Sequence, residues 1–210
     1  QLIVALDYSH RMGVFNRDLK LQHLLMESAA ATDEFLVIKL IDFGDCKNAS
    51  ESTPDSYVGT GNYMSPEVLF TTFGGPKYDG RKADVWLVGC CLYRMLFGAD
   101  VKIPLDPEWN CASDPSEWPQ NAVKTPPSRL GNGELLPPVS AECMDFLNRT
   151  LQVCPSRRIT MDDVWEHPWF QTNLPAGNRE YNDALIAEGP QDLPDGIQTD
   201  EELKGILDMA

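Results

Sequence analysis

The sequence predicts a mainly α-helical domain with one short β-hairpin, and three observations support this fold class. Apolar residues recur at helical spacing in several segments, most densely at 83–96. Two short apolar runs, at 23–26 and 35–41, flank a turn-like stretch and predict the hairpin. The chain has 210 residues, 42% of them hydrophobic, and five Trp, which is enough for one sizeable core.

Each predicted element of this domain rests on a local sequence signal. Residues 1–12 carry apolar side chains at helical spacing, and Gly13 predicts the end of that helix. Ser140 and Thr160 predict helix N-caps, and Asp163 adds a weak capping box to Thr160. The remaining elements are, in chain order, strands at 23–26 and 35–41, a loop at 45–57, a short helix at 67–70, a loop at 71–82, the buried central helix at 83–96, a proline-rich stretch at 99–138, and helices at 140–151 and 160–166.

The chain changes character near residue 170, which divides it into three predicted parts. Residues 1–170 hold the elements above and form one folded lobe. Residues 171–198 are acidic and show little periodicity, so they predict a linker with weak structure. Residues 199–210 begin with a capping box of Thr199 and Glu202 and carry one apolar stripe, which predicts a C-terminal helix.

Composition argues against several classes of partner and site. The formal net charge of −15 argues against nucleic acid or an anionic membrane as a partner, because both require a basic face. No apolar run reaches the roughly 18 residues of a membrane span. The six cysteines include no C-x-x-C pair, so no zinc site is predicted. Cys90, Cys91 and Cys143 lie in apolar patterns and predict buried thiols in a reducing, intracellular setting.

Five short strings of residues carry the functional signal. NRDLKLQH at 16–23, IDFG at 41–44 and GTGNYMSPE at 59–67 are followed by ADVWLVG at 83–89 and PSRRIT at 155–160. In this order and spacing the strings resemble the C-terminal lobe of a eukaryotic protein kinase. The resemblance implies ATP and Mg²⁺ as cofactors, because phosphoryl transfer needs positioned metal ions, an in-line hydroxyl and positive charge on the phosphates.

The resemblance implies a catalytic role for three residues. Asp18 matches the aspartate that accepts or orients the proton of the substrate hydroxyl. Lys20 matches the lysine that neutralises charge on the transferred phosphate, and a lysine here is typical of Ser/Thr kinases. Thr60 matches the threonine that bridges this aspartate and lysine in that class.

The cofactor-binding residues implied by the resemblance include one departure from the family. Asp42 matches the magnesium-binding aspartate, Gly44 is expected to give that turn its freedom, and Leu25 matches the leucine beneath the adenine ring. His23 stands where kinases place an asparagine ligand for the second Mg²⁺. One interpretation is weaker binding of that metal and slower catalysis, because imidazole is a poor Mg²⁺ ligand. The other is that His23 bonds nearby backbone.

Other matches imply support for the site. Arg17 matches the arginine that pairs with a phosphate on the activation loop, and Ser56 matches the phosphorylated serine of similar kinases. Glu67 and Arg158 match a buried ion pair. Asp84 matches the carboxylate that bonds the backbone of the catalytic loop.

Two longer segments indicate which group of protein kinases the chain resembles. Residues 77–99 and 158–176 are similar to the sucrose-non-fermenting-related Ser/Thr kinases, most closely the plant osmotic-stress group. This implies a Ser/Thr kinase that transfers the ATP γ-phosphate to proteins in stress signalling, and a regulatory role for the helix at 199–210. The alternative is a catalytically impaired pseudokinase or a binding fragment.

The resemblance also carries expectations about completeness and partners. The chain is expected to hold the C-terminal lobe without the N-terminal lobe, because no glycine-rich loop or strand lysine precedes residue 16. Alone it is not expected to transfer phosphate efficiently. The implied partners are a protein substrate, the protein's own N-terminal lobe, and an upstream kinase and phosphatase. The implied location is the cytoplasm, the nucleus or both.

Overall fold

A computed structural model describes residues 1–27, 37–49, 54–71, 77–102, 138–172 and 174–189. Their elements are, in chain order, α1 (Leu2–Arg11), β1 (Val14–Phe15), a 3-10 turn (Leu21–His23), β2 (Leu24–Glu27), β3 (Val37–Leu40), β4 (Lys47–Asn48), α2 (Pro66–Thr71), α3 (Gly80–Phe97), α4 (Ala141–Thr150), α5 (Met161–Trp165), α6 (Pro168–Gln171) and α7 (Asn178–Glu188). The predicted class, mainly helical with a short hairpin, is confirmed.

Helix α3 forms the centre of the core. Trp86 and Cys91 on this helix are fully buried, and they pack in one cluster with residues of α1 and α4. At Gly89 a Cβ atom would lie 2.7 Å from Thr150 Oγ1, so the missing side chain lets α4 approach closely. The helix begins at Gly80, inside the predicted loop, because the Asp79 side chain accepts a hydrogen bond from the Arg81 amide.

The predicted hairpin is confirmed, and it positions one side of the site. β2 pairs antiparallel with β3, with Leu24 opposite Leu40. The Ile41 amide donates to the His23 carbonyl at 2.9 Å, which extends the pairing to the residue before Asp42. A second sheet, β1 with β4, has two residues in each strand. Strands this short carry no alternating pattern, so the sequence did not predict them.

The sequence predicted weak structure across 171–198, but residues 178–188 form helix α7. The prediction is therefore wrong for these residues. Asn182 of α7 is 1% exposed, and its Nδ2 donates to the Val4 carbonyl at 2.9 Å and to Asp7 Oδ2 at 3.0 Å. Arg11 also pairs with Asp183 at 2.6 Å. These contacts stabilise α7 through a helix that is far away in the sequence. The sequence of α7 itself therefore shows little apolar periodicity. Two other predictions lie outside the described residues: the end of the linker, at 190–198, and the helix at 199–210.

Within the described part of the chain, no helix combines the length and the apolar character needed to cross a membrane. The predicted burial of Cys90, Cys91 and Cys143 is confirmed, and Cys154 is buried as well.

Burial should make two core thiols unreactive. Burial raises the pKa of Cys91 to about 12 and raises the pKa of Cys90 well above its ordinary value. We therefore expect both to resist iodoacetamide in the native protein at about pH 8, since only the thiolate is nucleophilic. Half-exposed Cys46 is the internal control. Peptide mass spectrometry measures the labelling, and native Cys91 labelling as fast as Cys46 would contradict the expectation.

Candidate active site

Asp18, Lys20 and Thr60 form a closed triangle of hydrogen bonds. Lys20 Nζ donates to Asp18 Oδ2 and to Thr60 Oγ1, each at 2.7 Å. The Thr60 hydroxyl donates to Asp18 Oδ1, also at 2.7 Å. Asp18 is 8% exposed, so these charge-assisted bonds lie in a partly desolvated environment where they are strong. The structure thus brings together the three residues that the sequence predicted as catalytic.

Asp84 fixes the segment that carries Asp18. Its Oδ1 accepts from the Arg17 amide and its Oδ2 from the Asn16 amide, each at 2.8 Å. His10 Nε2 lies 2.8 Å from the same Oδ2, and Asp84 is fully buried. The predicted contact of Asp84 with this backbone is present. A buried carboxylate with several donors holds the loop without touching the site's open side.

Arg17 adopts a backbone conformation that non-glycine residues rarely use, with φ of +68°. Its side chain compensates by donating to the Asp45 carbonyl at 2.7 Å and to Ser56 Oγ at 3.0 Å. The Tyr78 hydroxyl donates to the Ser56 carbonyl at 3.2 Å, and burial raises the pKa of Tyr78. The structure therefore places Arg17 against Ser56, as predicted for a serine that receives a phosphate.

Asp42 and His23 lie side by side next to Asp18. Asp42 Oδ2 lies 3.3 Å from His23 Nε2, and Asp18 Oδ2 lies 3.8 Å from His23 Nδ1. Asp42 is 55% exposed at its side chain and has φ of +63°. This corrects the expectation for Gly44: Asp42 carries the left-handed conformation, while the Gly44 amide donates to Asp42 Oδ1 at 3.1 Å.

Leu25 and its neighbours form an exposed apolar surface beside these residues. Leu25 is 50% exposed and therefore does not belong to the buried core. Among the described residues of this region, the other exposed large apolar side chains are Met26, Val37, Ile41 and Phe43. Apolar surface of this kind is typical of a face that binds a ligand or another part of a protein.

Glu67 and Arg158 form the predicted buried ion pair. Arg158 Nη1 lies 2.5 Å from Glu67 Oε1, and Nη2 lies 2.9 Å from Glu67 Oε2. The Arg158 side chain is fully buried and also donates to the carbonyls of Lys82 and Gln152. The pair joins α2, which follows Thr60, to the segment before α5.

Two residues of the site were missed by the sequence analysis. His10 contacts Asp84 from helix α1, and an isolated histidine on a helix carries no motif signal. Gly59 has φ of +119°, and a Cβ atom there would lie 2.9 Å from the Arg17 carbonyl oxygen. A glycine immediately before Thr60 was a detectable signal, because glycine marks close backbone approach.

Replacing Gly59 with alanine should impair the site. At Gly59 the backbone conformation is strained for any residue with a side chain, which costs about 1–3 kcal/mol. The added methyl group would also lie too close to the backbone carbonyl oxygen of Arg17. We expect displacement of Thr60 from Asp18 and Lys20, and a fall of at least about tenfold in any rate that depends on this triangle, because small displacements of positioned groups are costly. Gly61→Ala is the matched control, since a Cβ atom added at Gly61 would meet no other atom within 4 Å. Equal rates for the two variants in a transfer assay would contradict this expectation.

A cavity of about 620 Å³ lies elsewhere, between α1, α3, α5 and α7. Its lining includes Arg11, Arg179 and Asp183 but not Asp18, Lys20 or Thr60. Charged side chains that line this cavity form ion pairs with one another, for example Arg179 Nη2 with Asp162 Oδ1 at 3.0 Å. The cavity is therefore separate from the hydrogen-bonded triangle of Asp18, Lys20 and Thr60.

The described residues contain no group of three or more His, Cys, Asp or Glu side chains suited to holding a metal ion. The exposed Asp42 carboxylate, beside Asp18, nevertheless fits a hard cation that takes most of its ligands from water and phosphate. His23 supplies a nitrogen where an oxygen would suit such a cation better.

Comparisons with known proteins agree with this geometry. A family model described as "Protein kinase domain" matches residues 1–170. The chain is 36% identical over 214 residues to serine/threonine-protein kinase SAPK9 of Oryza sativa subsp. japonica, covering 100% of this chain and 54% of that relative. It is 36% identical over 214 residues to serine/threonine-protein kinase SRK2C of Arabidopsis thaliana, covering 100% and 55%. The chain spans about half the length of these curated relatives.

Proposed function

Because the chain belongs to the protein kinase family, we propose that its protein transfers the γ-phosphoryl group of ATP to Ser and Thr hydroxyls of protein substrates. The observation that carries the proposal is the hydrogen-bonded triangle of Asp18, Lys20 and Thr60 beside Asp42. We further propose that residues 1–170 correspond to the C-terminal lobe, with an N-terminal lobe supplied by sequence outside this chain.

The proposed roles follow from the geometry of the triangle. Asp18 has one oxygen bonded by Thr60 and the other by Lys20, which orients its free lone pairs toward an incoming hydroxyl. It would accept or orient the proton of that hydroxyl. Lys20 holds a positive charge next to the position of attack and would stabilise charge on the transferred phosphate.

ATP and Mg²⁺ are the proposed cofactors. Asp42 would hold Mg²⁺, which when bound neutralises phosphate charge and aligns the leaving group. The exposed Leu25 would contact the adenine ring, since it offers an apolar surface next to the site. His23 would bind the second Mg²⁺ poorly, and the alternative of a side-chain bond to backbone has less support: its nearest polar contacts among the described residues are the carboxylates of Asp18 and Asp42.

Ser56 is the proposed site of activating phosphorylation. Arg17 already donates to its hydroxyl, and a phosphate would add about −1.5 to −2 of charge at that position. The stronger pairing would hold the segment between Asp45 and Thr60 in place. An upstream kinase and a phosphatase would then set the activity.

The proposed setting is stress signalling, in the cytoplasm, the nucleus or both. The support is the similarity to the plant kinases named above, together with the sequence segments shared with the osmotic-stress group. The net charge of −15 is consistent with protein substrates and with no role for nucleic acid or membrane.

A pseudokinase that acts as a binding module is the second candidate function. The observation that favours it is His23, a nitrogen ligand at a position that suits oxygen. The intact triangle favours an active enzyme instead.

A transfer assay on the full-length protein tests the proposal. With radiolabelled ATP and a general protein substrate, we expect label on Ser and Thr, identified by phosphoamino acid analysis. Asp42→Asn should abolish transfer, because it removes the charge that holds the cation. Asp45→Asn is the matched control in the same turn, since Asp45 contacts Arg17 through its backbone oxygen, which Asn retains. No transfer by the unmodified protein, with nucleotide bound, would support the pseudokinase.

A further inference from the structure

We infer that His23 makes this site selective for a divalent transition-metal ion such as Mn²⁺ or Co²⁺ over Mg²⁺, with imidazole Nε2 as a direct ligand beside the Asp42 carboxylate. The inference rests on the proposed function, because the nucleotide would complete the coordination of the ion. It concerns which cation the site takes and through which atoms.

The spacing of the two atoms fits two neighbouring ligands on one ion. His23 Nε2 lies 3.3 Å from Asp42 Oδ2. Ligand atoms about 2.1 Å from a metal ion and at roughly a right angle to each other are about 3 Å apart. The Asp42 side chain is 55% exposed, so the carboxylate is open to solvent and to an incoming ion.

Backbone hydrogen bonds hold His23 in place, while the Nδ1 atom of its imidazole forms no hydrogen bond with the described residues. His23 is 8% exposed, and its backbone is fixed by its own amide donating to the Lys20 carbonyl and its carbonyl accepting from the Ile41 amide, each at 2.9 Å. Its Nδ1 is buried and has no hydrogen-bond partner among the described residues. No hydrogen bond at Nδ1 therefore fixes the ring, and its shortest polar contact in the described part of the chain is that of Nε2 with Asp42 Oδ2 at 3.3 Å.

The donor set determines the class of cation. Amide and carboxylate oxygens suit Mg²⁺, whereas an imidazole nitrogen raises the affinity for first-row transition metals, in the order Mn²⁺, Fe²⁺, Co²⁺. One nitrogen and one carboxylate oxygen leave several positions for water and phosphate oxygens, in keeping with the lack of a larger ligand cluster in the described part of the chain.

Pulsed electron paramagnetic resonance of Mn²⁺ with ADP and the full-length protein tests this inference directly. We expect nitrogen modulation from a bound imidazole, which changes frequency when histidine is labelled with ¹⁵N. His23→Asn should remove the signal and lower the affinity for Mn²⁺ relative to Mg²⁺ by about tenfold or more. His167→Asn is the matched control: His167 caps α6 with its side chain, a role that Asn can keep, and it contacts Asp145.

The outcomes separate this inference from the proposed function. Binding of fluorescent ADP in the presence of either cation is measured first. If nucleotide binds and Mn²⁺ shows no nitrogen coupling, the inference is overturned while the proposed function stands. If no nucleotide binds with either ion, both are overturned. Nitrogen coupling in the unmodified protein and in His167→Asn, lost in His23→Asn, supports the inference.

Discussion

Asp18→Ala is expected to lower the rate of phosphoryl transfer by about 10²–10⁴-fold, the range for loss of a positioned proton acceptor. The carboxylate accepts from Thr60 and from Lys20, both at 2.7 Å, so its removal also leaves the lysine ammonium and the threonine hydroxyl without their common acceptor. Lys20 would then be free to move away from the position where it stabilises the transferred phosphate. The loss should fall mainly on kcat, because Asp18 acts on the reacting hydroxyl.

The measurement is steady-state transfer to a peptide substrate, with thermal unfolding recorded for each variant. Asp18→Asn keeps the shape and one acceptor oxygen but places an amide donor opposite Lys20, so it should be nearly as inactive as the alanine variant. Glu142→Gln, an exposed carboxylate on α4, is the control for loss of charge and should leave the rate unchanged. A rate for Asp18→Ala within about threefold of the unmodified protein, with the fold intact, would exclude a role in proton transfer.

The site residues that the sequence predicted are those that lie within short sequence motifs. Asp18 and Lys20 are two residues apart, and Thr60 and Glu67 belong to one motif, so these short strings were enough for the family resemblance to identify them as candidates. The structure shows the bond from Thr60 to Asp18 across 42 residues, a contact that the resemblance implied and that no local pattern encodes. His23 was identified as unusual, but its contact with Asp42 depends on the β2–β3 pairing and was not predictable.

The parts that were not predicted depend on tertiary contacts. Helix α7 was assigned to a linker, because its own sequence has only a weak apolar stripe. Its order comes from polar contacts with α1, in particular buried Asn182. The same holds for His10, whose bond to Asp84 spans 74 residues and links α1 to α3. High apolar content predicted α3, which is buried on most sides, and helical periodicity predicted α4, which is buried on one face.

Arg158→Met is expected to destabilise the protein by about 3–5 kcal/mol, the largest stability effect that the structure suggests. Methionine has nearly the length of the aliphatic part of arginine, but the contact of the guanidinium with the Trp86 ring, 5.1 Å from its centroid, is lost. The loss arises because Glu67, 6% exposed, keeps a buried charge with no cation to pair it. The free energy of unfolding from urea denaturation measures the effect.

A double-mutant cycle separates this charge effect from packing. Glu67→Gln with Arg158→Met should cost less than the sum of the two single variants, because neither partner is then left charged and buried. Arg149→Met is the matched control: Arg149 pairs with Asp145 at 2.9 Å but is 58% exposed at its side chain, so its loss should cost under about 1 kcal/mol. Additive costs in the cycle, or equal costs for Arg158→Met and Arg149→Met, would show that the buried pair has no special role. A positive coupling would instead show that this pair stabilises the fold by joining α2, the helix that follows Thr60, to a residue 91 positions later in the sequence.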